Sequence, residues 1–133
     1  MSSTHTVLHD PEGRIEATLP LDRGPHECLL KAVLTWTGDP DLPPADYAQI
    51  ALQLTGAARA VADDVRRATA QLPADHGARA LAEVVVGEAE RRLSVRLEGT
   101  LRCAQNRARL VRALYERLDR LAEVAPTPRQ GAL

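Results

Sequence analysis

Phenylalanine is missing from these 133 residues, and the aromatic share is 2%: Trp36, Tyr47 and Tyr115. Any core must therefore be aliphatic, built from Leu, Val and Ala, and side chains of that size let helices approach closely. Lysine occurs once against sixteen arginines, and Ile and Asn are scarce beside plentiful Ala, Gly and Pro. This skew follows the codons of a GC-rich genome, so arginine number alone carries little argument. There are two cysteines, Cys28 and Cys103, and no CxxC pair. No apolar run approaches the 18 residues of a membrane helix. The first 20 residues also lack the continuous apolar stretch of a signal peptide. These absences favour a cytoplasmic protein with reduced thiols.

What is present suits one domain: 44% of residues are apolar, and the length is too short for two cores. The net charge of −1 argues against generalised polyanion binding. The charge is unevenly spread, however. Residues 1–45 carry seven acids and three bases, and residues 100–133 carry seven arginines and three acids. Either the two ends balance each other, or the last segment offers a basic contact surface.

Residues 1–20 read as an N-terminal arm. DPEG at 10–13 suits a type I turn between TVLH and RIEA, which form either a small hairpin or a disordered segment. Residues 21–125 read as a single helical bundle domain, and 126–133 as a flexible tail. A short helix starts at Pro25, capped by Gly24, and ends at Gly38. A second helix spans about 44–72, with Tyr47, Ile50, Ala51, Leu54, Ala58, Val61, Val65, Ala68 and Leu72 on one stripe. Gly56, Ala57 and Ala58 give it a small-residue patch. Pro73 breaks it, and Asp75 caps a third helix over about 76–95 whose inner side is Leu81, Val84, Val85, Ala89 and Leu93. LEGT at 97–100 is a turn, and Thr100 caps a fourth helix running to about 124. Three long amphipathic helices joined by short turns, with a short leading helix, predict an all-α, antiparallel up-down bundle.

Two charges break this pattern. At 100° per residue, Leu110, Val111, Leu114, Tyr115, Leu118 and Leu121 share one side of the fourth helix, and Arg107 falls among them. Glu88 falls inside the apolar stripe of the third helix. A hairpin turning at LEGT places Glu88 opposite Arg107, with Arg92 one turn from Glu88. A buried guanidinium needs a partner, so a shielded Glu88–Arg107 pair is expected. It either fixes the hairpin register or, with Arg92, Gln105 and Asn106, lines a polar pocket between helices. The same two amides could instead bond the LEGT turn.

The segment LPADHGARALAEVVVGEAERRLS, followed by LRCAQNRARLVRALYERLDRLA, covers residues 72–122. It resembles a family of short actinobacterial proteins of unknown function that are often labelled natural-product biosynthesis proteins. The resemblance implies no reaction and brings no catalytic residues with it.

Motifs that carry chemistry are missing: GxGxxG, GxxxxGK[ST], HExxH, GxSxG and the ExxH pairs of di-iron bundles. His5 and His9, or His26 and Cys28, give no complete metal set. No metal or cofactor is expected, and Cys103 reads as a small core residue rather than a nucleophile. Arg102, Arg109, Arg112 and Arg120 lie on the outer side of the fourth helix. Glu116, Asp119 and Glu123 accompany them, which weakens that surface for phosphate. The leading expectation is a non-catalytic helical interaction or accessory module with an unidentified protein partner. A homodimer is favoured because the apolar arc of the fourth helix is wider than one neighbour covers. The alternatives are a nucleic-acid regulator using those outer arginines, or a small ligand binder or enzyme with a pocket around Glu88 and Arg107.

Overall fold

A computed structural model describes residues 23–37 and 40–124. The expected arm, the tail and the stop at Gly38 lie outside the described residues. Four helices and no strand occur among them: α1 (Arg23–Leu34), α2 (Pro44–Thr69), α3 (Gly77–Leu93) and α4 (Leu101–Val124). The protein is an all-α up-down bundle.

α1 begins two residues before Pro25. Proline is tolerated anywhere in a first turn, where the N–H groups have no intrahelical acceptor. The helix runs antiparallel to α4. Arg23 meets Asp119, His26 meets Tyr115, and the end of α1 at Val33 meets Gln105, so ascending positions on one helix face descending positions on the other.

α2 opens on Pro44 and buries the expected stripe of Tyr47, Ala51, Leu54, Ala58, Val61 and Val65. Ala57, Ala60 and Ala62 are buried beside it, which widens the contact surface and lets α4 pack closely along it. Gly56 is exposed and takes no part in this small-residue surface. The helix ends at Thr69, before Leu72, which still plugs the core from the following turn.

α3 departs from expectation in two ways. Its cap is His76, whose Nδ1 accepts the Ala78 N–H at 3.0 Å, and not Asp75. Its buried side is Ala82, Val86, Ala89 and Leu93. Leu81 and Val84 face outward, and Val85 is half-buried. The rotation has a packing cause. A core that includes Ala57, Ala58, Ala62, Ala104 and Ala108 is thin, and alanines on α3 allow a closer approach than leucine and valine would. Glu88 shares the outward side and turns with it.

Thr100 caps α4 as expected, its Oγ1 accepting the Cys103 N–H at 3.1 Å. α4 buries Ala104, Arg107, Ala108, Val111, Leu114, Tyr115 and Leu121, with Leu110 and Leu118 packed at the edge. Its wide apolar arc is shared among α1, α2 and α3, so the arc gives no reason for a second chain. The turn before α4 closes against the start of α2. A Cβ built on Gly99 would lie 2.5 Å from the Pro44 carbonyl oxygen, so only glycine fits there. α2 and α4 therefore start at the same end of the molecule.

Candidate functional site

Arg107 is 5% exposed, and both of its terminal nitrogens are committed to backbone. Nη1 donates to the Arg92 carbonyl at 2.9 Å and Nη2 to the Val95 carbonyl at 2.7 Å. These acceptors belong to the end of α3 and the turn that follows, where carbonyls lack intrahelical donors and the helix dipole is negative. The guanidinium is thus a side-chain cap for a neighbouring helix. Burial is offset by charge-assisted hydrogen bonds and the dipole rather than by a carboxylate.

Glu88 does not pair with Arg107. Its side chain is 45% exposed and accepts from Arg92 Nε at 2.8 Å and from Arg91. Arg92, and then Arg91, hold its carboxyl below the usual carboxylate range. The expected pair fails because α3 is rotated: Glu88 faces water, and the carbonyls at the end of α3 take its place opposite Arg107.

Gln105 also caps a helix. Its Nε2 donates to the carbonyls of Val33 and Trp36, at 3.2 and 3.0 Å, at the end of α1. It does not bond the LEGT turn. Asn106 is exposed and accepts from Arg109 Nη1 at 3.1 Å.

A cleft of about 270 Å³ opens where the α3–α4 turn meets the first turns of α4. Its walls hold Arg92, Arg96, Arg102 and Arg107, with Glu98, Cys103 and Asn106 between them and Val95 and Leu110 on the apolar side. The cleft brings together Arg92, Asn106 and Arg107, expected around an interhelix pocket, and Arg102, expected on an outer contact surface. Arg96 and Glu98 were missed, because a turn gives no periodicity from which to place a side chain. Cys103 is half-buried on the cleft wall, its Sγ accepting the Glu98 N–H at 3.4 Å, and is not an enclosed core residue. Arg102, Arg109, Arg112 and Arg120 are all exposed, as read from the helical wheel.

A second surface lies on α3. Leu81 and Val84, one turn apart, are 46% and 65% exposed, on a helix whose other side is already packed. Among the described residues no group of three potential metal ligands occurs, and no helix is long and apolar enough to cross a membrane. No family model, curated protein or solved structure matches the chain.

Proposed function

We propose that the protein is a non-catalytic helical interaction module that docks through the outer side of α3. The observation that carries this reading is the exposure of Leu81 and Val84 on a helix already buried along its alanine side. Apolar side chains stacked at i, i+3 on an outward stripe suit the apolar side of another helix. The simplest occupant is a second copy of the chain, since an isologous contact uses one small patch twice. From the resemblance of residues 72–122 we further propose that the module is an accessory protein linked to natural-product biosynthesis.

The test is sedimentation of the purified chain over a range of concentrations, with Val84→Glu and Leu81→Ser alongside. Self-association that both substitutions abolish, with helical circular dichroism unchanged, supports the reading. A monomer at every concentration, or a dimer indifferent to Val84→Glu, overturns it.

A further inference from the structure

Six of the fourteen described arginines have a carboxylate at hand. Arg66, Arg67, Arg79, Arg91 and Arg92 each meet an acid on their own helix, and Arg23 reaches Asp119. Arg96 and Arg102 line the cleft at the α3–α4 turn, and no acid among the described residues pairs with either. Arg92 beside them has its Nε committed to Glu88, and Arg107 has both terminal nitrogens on carbonyls. Glu98 is the one carboxylate in the wall. The whole chain has a net charge of −1, so this excess of cation is local rather than general. The cleft also opens at the first turn of α4, where N–H groups and the positive end of the helix dipole add to the field.

We propose that this cleft binds a small organic phosphate, with Arg96 and Arg102 as its charge-bearing contacts. Two guanidiniums without counter-ions match the double charge and the spread of oxygens of a phosphate monoester better than a single carboxylate. Val95 and Leu110 give the organic substituent an apolar wall. A volume of about 270 Å³ falls just below the range for drug-sized ligands, which sets the scale of the molecule. Arg107 holds the end of α3 in place beneath the site. The proposal is independent of docking through Leu81 and Val84, which lie outside the cleft wall.

Cys103 reports on occupancy. With Cys28→Ser as background, it is the one thiol left, and it stands in the cleft wall. The rate at which neutral iodoacetamide labels it is measured against phenyl phosphate, inorganic phosphate and a short single-stranded DNA. Both phosphates should slow labelling saturably, phenyl phosphate at the lower concentration. Arg96→Gln with Arg102→Gln should raise the half-saturating concentration about tenfold or more, whereas Arg112→Gln with Arg120→Gln, outside the cleft, should leave it unchanged. Labelling indifferent to both phosphates overturns the proposal, as does protection that survives loss of Arg96 and Arg102. Protection by the DNA that depends on Arg112 and Arg120 overturns it in favour of a nucleic-acid surface.

Discussion

The Arg107 guanidinium bonds the Val95 carbonyl at 2.7 Å, across the turn that joins α3 to α4. A buried cation is thereby balanced by the carbonyl end of a helix, with no acid involved. The energetic consequence differs from that of an ion pair. Arg107→Leu removes two charge-assisted bonds and strands the Val95 carbonyl, while the Arg92 carbonyl keeps the Val95 N–H at 3.2 Å, so it should cost about 3 kcal/mol in denaturant unfolding. Glu88→Leu, at an exposed position, should cost far less. In the double-mutant cycle the coupling between Glu88 and Arg107 should be near zero. A coupling of about 2 kcal/mol or more would contradict the geometry.

Glycine substitutions should separate close packing from backbone entropy. At Gly99 an added methyl meets the Pro44 carbonyl, which is backbone and cannot swing aside. Gly99→Ala should therefore destabilise by about 2 kcal/mol. At Gly56, exposed within α2, no atom lies within 4 Å of the added Cβ. Gly56→Ala should stabilise by about 0.5–1 kcal/mol, through helix propensity alone. Thermal unfolding of the two variants should shift in opposite directions.

The α2 stripe was legible because its large side chains repeat cleanly and the helix packs on that side. α3 was misread because a wheel ranks Leu81 and Val84 above Ala82 and Ala89, while close helix approach favours the alanines. That Arg107 is buried could be read from its neighbours on the wheel. Its partner could not, since backbone carbonyls carry no sequence signal and side-chain pairing rules search only for acids. Gln105 was misassigned for the same reason: its acceptors are two carbonyls at the far end of α1. The cleft was legible only in parts, because Arg96 and Glu98 sit in a turn whose path depends on Gly99 closing against Pro44.

Glu88 gives a pH dependence whose sign can be worked out. Its folded pKa lies below the ordinary value of 4.5, held down by Arg92 and then Arg91. A depressed carboxyl contributes stability that is present above the unfolded value and lost as pH falls through the folded one. Urea midpoints of the wild type measured from pH 6 downward should therefore fall below about pH 4.5 more steeply than those of Glu88→Gln. Added salt should shrink the difference, because the group is solvent-exposed. Parallel curves for the two proteins would show that the arginine contacts contribute nothing to folding.

The last prediction concerns how α1 is held. It is the shortest of the four described helices, with 12 residues, and buries only Leu30 and Val33, so its docking leans on polar contacts with α4. At one end the Arg23 guanidinium lies 4.2 Å from the centre of the Tyr115 ring and donates to Asp119, while His26 Nδ1 and the Tyr115 hydroxyl are 2.8 Å apart. At the other end Gln105 holds the carbonyls of Val33 and Trp36. Cutting one end should loosen α1 without unfolding the α2–α4 core. Gln105→Ala should cost about 1–2 kcal/mol, as the loss of two neutral hydrogen bonds. Tyr115→Phe, which keeps the ring, should cost about 1 kcal/mol. Amide exchange in Gln105→Ala should quicken in α1 and remain slow at Val61 and Val111, because local opening of a lightly buried helix requires less than the global free energy. Uniform acceleration across all four helices would mean that α1 is part of the cooperative core and that Gln105 supports the whole fold.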